Sequence, residues 1–351
     1  MNLSDYDIHL CHKTELPALK KLLNEWKREH IITRCSALLE WQHKDVRKPY
    51  YNFVVAKNRH TNSLDAFLGF ITLDQYDSTL ARYNDLWLVT WKRRSEVAVP
   101  GLGKALEVYL KEQLNPRSCG AFGISTVALH VFKQLNYKIG LLNHFYLVNR
   151  KKHEFQLLGN FDGKYDTDPS SISAEKKFVR YDKTSFTELS KKLTYVPPGN
   201  QAPVKSLLFF YNRYLAHPVY NYHMYAIENK ELTVAVMVVR LAAHQSARAL
   251  KLIDYFGNPE ALAGSLNSFQ QLLQHYDAEY LEFYNYGLNP EILAAAGFLK
   301  REAGDPVIVP NYFEPFKQKN VDLDFAYQAG ENLNYIFFKG DTDQDRPNRI
   351  E

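Results

Sequence analysis

The sequence predicts a mixed α/β fold in two similar halves, each a largely antiparallel sheet flanked by helices. The chain has 351 residues, which suits two domains of ordinary size. Strand and helix patterns alternate along the chain, and the order of elements in the first half recurs in the second. We place the first domain at 1–155, a linker and entry segment at 156–203, and the second domain at 204–351.

The first half is predicted to follow the order β, α, α, β, β, β, α, β, α, β, β. Apolar residues at helical spacing, such as Leu102, Leu106 and Leu110, indicate helices, and short apolar runs indicate strands. In chain order we predict a strand at 6–10, a helix from Thr14 to Trp26, a helix at 36–43, strands at 51–56, 66–73 and 85–91, a helix at 101–114, a strand at 121–125, a helix at 126–135, and strands at 137–140 and 144–149.

The second half carries clear helix-start signals. Asn258-Pro259-Glu260 and Asn289-Pro290-Glu291 each place a capping Asn before a Pro at the first helical position and an acid in the first turn. The other predicted elements are a helix at 204–215, a hairpin of strands 222–227 and 232–242, and strands at 250–256, 280–284, 307–309 and 335–339.

Composition excludes several classes of protein. Hydrophobic residues make up 46% and charged residues 23%, as in a folded globular chain. The net charge of +4 is too small for a nucleic-acid coat protein, so no nucleic-acid partner is expected. Three scattered cysteines predict neither a disulfide scaffold nor a zinc site. Without a signal peptide or a long apolar stretch, we expect a cytoplasmic protein with no membrane span.

One loop has the pattern of an anion site. Val99-Pro100-Gly101-Leu102-Gly103-Lys104 joins a predicted strand to an amphipathic helix. Two glycines allow backbone N–H groups to approach an anion closely, and a helix N-terminus adds a partial positive charge. The loop is neither a Walker loop nor a complete dinucleotide fingerprint. It predicts a pyrophosphate cradle.

With the order of elements, this loop resembles the acyl-CoA site of the GNAT (Gcn5-related N-acetyltransferase) superfamily, whose motif is Gln/Arg-x-x-Gly-x-Gly/Ala after the fourth strand. The glycines match, but Ala98 replaces the basic residue, so Lys104, Lys92, Arg93 or Arg94 would hold the phosphates. Phe132 stands where the family often has a general-acid Tyr. In the second half, Pro259 and Glu260 oppose phosphate binding, so that half is expected to serve as a substrate wall or dimer surface.

Further motifs narrow the resemblance. Trp41-Gln42-His43, Asp85-Leu86-Trp87, Asn143-His144-Phe145-Tyr146 and Lys339-Gly340-Asp341 look like those of two-domain GNAT-like proteins associated with bacterial surface-polysaccharide (O-antigen or capsule) biosynthesis. This resemblance implies acyl transfer from acetyl-CoA or another acyl-CoA to the amine of a nucleotide-linked amino sugar. Two alternatives stay open: a Fem-like transferase that uses charged tRNA, and a non-catalytic scaffold. A homodimer also stays open.

The resemblance and the residue chemistry together give a set of candidate site residues. Asp85 or His144 would be the general base, and backbone N–H groups near Val89 would polarise the thioester. Asp254 would orient a substrate amine or pair with Arg240. Asp341 to Asp345 imitates the start of a calcium loop, but Arg346 occupies the glycine position, so no metal is expected. The predicted acyl-CoA contacts are Val89, Trp91, Lys92, Val99, Gly101, Leu102, Gly103 and Lys104, and the predicted acceptor contacts are Arg34, Trp41, His43, Asn143 and Asp254.

Overall fold

The computed structural model describes residues 2–25, 30–163, 176–230 and 232–348. Trp26 of the first predicted helix, and 164–175 of the predicted linker, lie outside the described residues. The strands are β1 (Tyr6–His12), β2 (Tyr50–Asn58), β3 (Leu64–Thr72), β4 (Asp85–Arg93), β5 (Ser118–Phe122), β6 (Lys138–Leu141), β7 (Asn143–Val148), β8 (Lys177–Tyr181), β9 (Gln201–Ala202), β10 (Tyr222–Asn229), β11 (Leu232–His244), β12 (Ala247–Gly257), β13 (Tyr280–Tyr286), β14 (Leu299–Arg301), β15 (Tyr312–Phe313), β16 (Phe316–Lys317), β17 (Asp324–Ala329), β18 (Asn334–Tyr335) and β19 (Phe337–Phe338).

Helices cover the sheets that these strands form. The α-helices are α1 (Leu16–Asn24), α2 (Ile31–Arg34), α3 (Ser36–His43), α4 (Leu102–Leu114), α5 (Thr126–Gln134), α6 (Phe186–Lys192), α7 (Leu207–Phe210), α8 (Leu266–His275) and α9 (Pro290–Ala295). The predicted helix at 204–215 begins later, at Leu207, because Ser206 caps it, and its second turn is a π-helix, Tyr211–Leu215.

Two mixed sheets form the framework, and their strand orders correspond. The first sheet has the order β1-β2-β3-β4-β5-β17-β6, and the second has the order β8-β10-β11-β12-β13-β7-β14. In each sheet the fourth and fifth strands pair in parallel, and the strands otherwise pair antiparallel. The predicted fold class, a mixed α/β arrangement of two similar sheets flanked by helices, is confirmed.

The two halves exchange one strand each. β7 belongs to the first half of the chain but lies between β13 and β14 of the second sheet. β17 belongs to the second half but lies between β5 and β6 of the first sheet. The sequence patterns did not indicate β17 as a strand. Each sheet is therefore completed by the other half, which ties the two halves into one body.

An aromatic core fills the space between the sheets. Trp87, Phe209, Phe210 and Phe337 are buried in one cluster that takes residues from both halves. Separate clusters lie under α4 in the first half and under α8 in the second. The prediction of a sheet strand at 307–309 was wrong, because Ile308 forms only an isolated bridge with Gly159. No helix within the described ranges is long and apolar enough to cross a membrane.

Candidate active site

A cleft opens where β4 and β5 separate. The two strands pair in parallel only from Asp85 to Trp87, opposite Ser118 to Gly120. Beyond Trp87 the two strands no longer pair with each other, although each stays paired with its outer neighbour. The resulting cavity of about 290 Å³ is lined by Leu88, Val89, Thr90, Trp91, Ala121, Phe122, Gly123, Ile124, Ser125, Ala128, Phe132, Asp343, Gln344 and Arg346.

A β-bulge in β4 forms one wall of this cleft. Leu68 of β3 pairs with Trp91, whereas Phe70 pairs with Leu88, so β4 carries one extra residue at Val89–Thr90. A bulge takes backbone groups out of the regular ladder and redirects them, which suits the predicted contact near Val89. Gly69 lies opposite the bulge, and a Cβ there would lie 2.6 Å from the Thr90 Oγ1.

The predicted anion cradle lies at the start of α4. Gly101 is the N-cap residue, with a φ of +78°, and no side chain caps the helix. The first N–H groups of an α-helix have no partners within the helix, so they are available to an anion. A Cβ on Gly103 would lie 3.5 Å from the Trp91 Nε1, so the cradle adjoins the cleft wall. Arg93 steadies the loop, because its Nη1 donates to the Val99 carbonyl at 3.1 Å.

An acyl-CoA fits the chemistry of these walls. The Thr90 side chain is buried, and its Oγ1 has no hydrogen-bond partner. A buried polar atom without a partner costs about 1–3 kcal/mol, so a ligand atom at this position would be stabilised. The rings of Trp91 and Phe132 pack edge to face, with their centroids 5.5 Å apart, and give the cradle side of the cleft an apolar wall.

The remaining predicted donor contacts surround the cradle. Val99 and Leu102 are buried beneath it, and Lys104 is exposed on the first turn of α4. Lys92 lies on β4 opposite Phe67, and partial burial lowers its pKa. Val89 and Trp91 line the cleft itself, whereas the cradle glycines lie beside it.

The last wall of the cleft comes from the second half of the chain. We call residues 340–348 the wall segment. Arg213 holds its start, donating to the Gly340 carbonyl at 2.7 Å and the Thr342 carbonyl at 2.6 Å. Asp343 is buried and lines the cleft, where it pairs with Arg346. In the sequence this stretch shows only a poor calcium loop and motifs of the resemblance, and neither pattern indicates that Asp343 lines the cleft.

Asp85 lies at the closed end of the strand pair. Its carboxylate accepts hydrogen bonds from the Arg117 guanidinium at 2.6 Å, the Ser118 hydroxyl at 2.6 Å and the Val204 N–H at 2.8 Å. At about 3.3 Å per residue, its Cα is roughly 13 Å along the strand from that of Val89. The contacts of Asp85 therefore join the two halves, and the residue does not line the cleft.

His144 lies in the second sheet, on the exchanged strand β7. Its ring stacks on Tyr284 at 4.0 Å, and its Nδ1 accepts from the Arg301 Nε at 3.0 Å. Burial lowers the pKa of His144. Like Asp85, it does not line the cleft between β4 and β5.

The structure does not bring the predicted acceptor contacts together in this cleft. His43 is fully buried between Phe53 and the Phe70 carbonyl, and burial lowers its pKa to about 3. Trp41 donates to the Asn212 carbonyl at 3.2 Å. Arg34 is exposed at the end of α2, and Asn143 pairs with Asn285 between β7 and β13.

Asp254 has partners other than the predicted Arg240. Its Oδ1 accepts from the Lys205 Nζ at 2.7 Å and its Oδ2 from the Tyr214 hydroxyl at 2.6 Å. Arg240 instead forms a bidentate pair with Asp345. The prediction of an Asp254–Arg240 pair was wrong, because the wall segment supplies an acid to Arg240. No cluster of metal-ligating side chains is found among the described residues.

Comparison with solved structures identifies the fold. No protein-family model and no curated protein matches the sequence. A GCN5-related N-acetyltransferase from Anabaena variabilis matches with a TM-score of 0.52 and 9% identity over 92% of this chain and 72% of that one. A conserved protein of unknown function from Enterococcus faecalis matches with a TM-score of 0.53 and 8% identity, over 91% of this chain and 71% of that one. A candidate acetyltransferase from Pyrococcus horikoshii matches with a TM-score of 0.50 and 9% identity over 98% and 96%. The chain thus has a GNAT-like fold, and the similarity extends over both halves.

Proposed function

We propose that the protein is an acyl-CoA-dependent N-acyltransferase whose donor lies in the cleft between β4 and β5. One observation carries the proposal: a bulged, splayed strand pair opens beside an uncapped helix N-terminus that begins at glycine. The pyrophosphate would bind the first turn of α4, the pantetheine arm would lie along the rings of Trp91 and Phe132, and the thioester would lie beside Val89. Acetyl-CoA is the simplest donor that fits.

The chemistry would be direct acyl transfer. A neutral amine attacks the thioester carbonyl carbon, the carbon–sulfur bond breaks, and CoA leaves as a thiolate. Backbone N–H groups of the bulge and the Thr90 hydroxyl would donate to the carbonyl oxygen as negative charge develops on it. Asp343 is the acid that lines the cleft within the described ranges, so we assign it the proton of the incoming ammonium.

A covalent acyl-enzyme would need a nucleophile, and the cysteines do not supply one. Burial raises the pKa of Cys11 and of Cys119 to about 12, so both are protonated at neutral pH. None of the three cysteines lines the cleft. Phe132 occupies the position of the family's usual acid and packs 4.8 Å from the ring of Tyr137, so the departing thiolate would take its proton from water.

For the acceptor we propose the amine of a nucleotide-linked amino sugar used in surface-polysaccharide synthesis. The support is the set of motifs described above, which includes Trp41-Gln42-His43 and Asn143-His144-Phe145-Tyr146. A donor carried on tRNA fits less well, because the net charge is only +4 and the cradle is built for a small anion.

Donor binding is the direct test. The protein is titrated with acetyl-CoA by calorimetry and thermal shift, with adenine and free pantetheine as controls. At 100 times its Kd, a ligand of the folded state stabilises it by about 2.7 kcal/mol, which raises the melting temperature. Release of free thiol from acetyl-CoA in the presence of amino sugars then tests transfer. If no acyl-CoA binds, the non-catalytic scaffold is the better description.

A further inference from the structure

The side-chain amide of Gln344 is an unused polar group in the donor cleft. Three side chains of the wall segment line this cleft: Asp343, Gln344 and Arg346. The Arg346 guanidinium pairs with the Asp343 carboxylate, so these two side chains satisfy each other. The half-buried Gln344 amide has no hydrogen-bond partner among the described residues. Its carbonyl oxygen and its NH₂ group are therefore available to a ligand in the cleft.

The Gln344 amide rests on a glycine at the end of β5. Gly123 has a φ of +67°, a conformation that glycine adopts readily and L side chains rarely do. A Cβ on Gly123 would overlap the Gln344 amide, with the Nε2 atom 2.7 Å away. The absence of a side chain at Gly123 therefore allows the amide to lie against the β5 side of the cleft, whereas Val89 and Thr90 lie on β4.

The second half of the chain fixes the backbone on both sides of Gln344. Before it, the Arg213 guanidinium donates to the Thr342 carbonyl at 2.6 Å. After it, the Asp345 carboxylate accepts two hydrogen bonds from Arg240, at 2.6 Å and 2.9 Å. A hydrogen-bonding group that extends from a fixed backbone is preorganised for a ligand. The Gln344 amide has this arrangement in the cleft.

The proposed position of the donor leaves the wall segment to the acceptor. The donor would use the start of α4, the rings of Trp91 and Phe132, and the bulge at Val89. The wall segment is a part of the cleft lining that this path does not use. An amine that reaches the thioester from this side therefore meets Asp343 and Gln344, which are neighbours in the chain.

We infer that Gln344 binds the attacking nitrogen of the acceptor and selects a primary amine. A neutral primary amine has one lone pair and two N–H groups. The lone pair would face the thioester carbon, one N–H would face Asp343, and the other would donate to the Gln344 amide oxygen. A secondary amine has only one N–H, so it leaves one of the two acceptors without a donor. The inference rests on the proposed function, because it needs the thioester beside Val89.

Gln344→Met removes the amide and keeps a side chain of similar length. With glucosamine and acetyl-CoA as substrates, and release of free thiol as the readout, we expect kcat to fall about 10–100-fold. The reason is that the lost hydrogen bond strengthens as positive charge develops on the attacking nitrogen. The Kd for acetyl-CoA, measured by calorimetry, should stay at the wild-type value. Gln271→Met, on an exposed glutamine of α8, is the matched control and should keep the wild-type kcat.

A comparison of glucosamine with its N-methyl derivative tests the selection of a primary amine. Wild type should acylate glucosamine with a kcat/KM at least about tenfold higher, because the secondary amine forms one hydrogen bond fewer. Gln344→Met should bring the two values of kcat/KM closer together. The intrinsic reactivities of the two amines are the same with either protein, so the change in their ratio reports on Gln344.

A double-mutant cycle tests whether Gly123 acts through Gln344. Gly123→Ala changes no polar atom, but it should displace the amide and lower kcat as Gln344→Ala does. Added to Gln344→Ala, it should cause little further loss, because the amide that the Cβ would meet is gone. The strain of alanine at a positive φ is present in both backgrounds and cancels in the cycle. Fully additive losses would overturn the placing of the amide on which the inference depends.

The failure of this inference is distinguishable from the failure of the proposed function. A wild-type kcat in Gln344→Met, or an unchanged ratio between the two amines, would overturn the inference and leave the acyltransferase activity standing. If acetyl-CoA binds but no amine causes release of thiol, the proposed function is overturned and this inference with it.

Discussion

The two parallel strand pairs, β4/β5 and β12/β13, share the same geometry, but only β4 and β5 leave an open cleft between them. β12 and β13 pair from Leu250 to Leu252 and then separate, as β4 and β5 do after Trp87. β12 also has a bulge at the equivalent place, where Ile253 is the extra residue between the partners of Val238 and Val239. The splay and the bulge thus occur twice in this molecule.

In the second half the chain itself fills the gap where β12 and β13 separate. β19 pairs with β13 at Asn285 and Tyr286, and the Gly340 N–H donates to the Ile253 carbonyl at 2.7 Å. The backbone group at the bulge is therefore satisfied within the protein, whereas the bulge of β4 faces an open cleft. The gap between two separating strands can therefore hold a ligand only where the chain does not fill it. Here the residues that close one splay lead directly into the wall of the other.

The largest expected effect concerns the cleft between β4 and β5. Gly101→Asp places a carboxylate at the helix N-terminus where the pyrophosphate would bind, so acetyl-CoA binding should become undetectable by calorimetry. Gly304→Asp is the matched control, because Gly304 has a φ of +91° and open space around its Cβ position. That variant should bind acetyl-CoA as wild type does. Wild-type affinity in Gly101→Asp would remove the cradle from the donor site.

The next effect separates the acid in the cleft from the acid at its closed end. Asp343→Asn should lower kcat about 10²–10⁴-fold, the usual loss on removing a general base, with acetyl-CoA affinity unchanged. Steady-state kinetics at several pH values and calorimetry measure the two quantities. A wild-type kcat in Asp343→Asn would show that another group or water takes the proton.

Asp85→Asn should affect stability instead. Removing one partner of a buried ion pair typically costs about 3–5 kcal/mol, and Asp85 joins Arg117, Ser118 and Val204 across the two halves. We expect a lower free energy of unfolding in urea, with kcat per folded molecule close to wild type. A large drop in kcat at full stability would return Asp85 to the role predicted from the sequence.

Destabilising the packing at the filled gap between β12 and β13 should leave the cleft between β4 and β5 intact. Phe338 is buried in the core of the second half, and its ring stacks on Phe283 at 5.8 Å. Phe338→Ala should lower the free energy of unfolding by about 3–5 kcal/mol, the usual cost of a buried Phe. Urea unfolding and acetyl-CoA calorimetry are measured together. Loss of acetyl-CoA affinity in the folded variant would mean that the filled gap between β12 and β13 is energetically coupled to the cleft between β4 and β5.

The smallest effect concerns pH. Burial and the neighbouring Asp254 raise the pKa of Asp341 to about 6. The folded protein therefore binds this proton more tightly than the unfolded chain, so the contribution to stability is full below about pH 4 and is lost as the pH rises through 6. The loss should reach at most about 3 kcal/mol. Urea unfolding of wild type and Asp341→Asn from pH 4 to 7 isolates it, and parallel pH profiles would contradict it.

Local sequence patterns predicted much of the candidate donor site between β4 and α4. The strand from Asp85, the glycine loop and the helix from Leu102 follow from apolar spacing and glycine chemistry, which act over a few residues. The patterns missed β17, whose partners Cys119 and Ile139 are far away in the chain. The position of Asp343 was equally hidden, because Arg213 and Lys205 hold its segment from more than a hundred residues away.

The sequence by itself determined the fold class, the two similar halves and the place of the glycine loop at the start of α4, because each depends on residues that are neighbours in the chain. Tertiary structure alone decided which half supplies β7 and β17, which splay stays open, and which acid reaches the cleft. Those outcomes depend on strand pairing and buried ion pairs between distant segments. The hydrophobic pattern of a strand shows that one face is buried, but it does not name the partner.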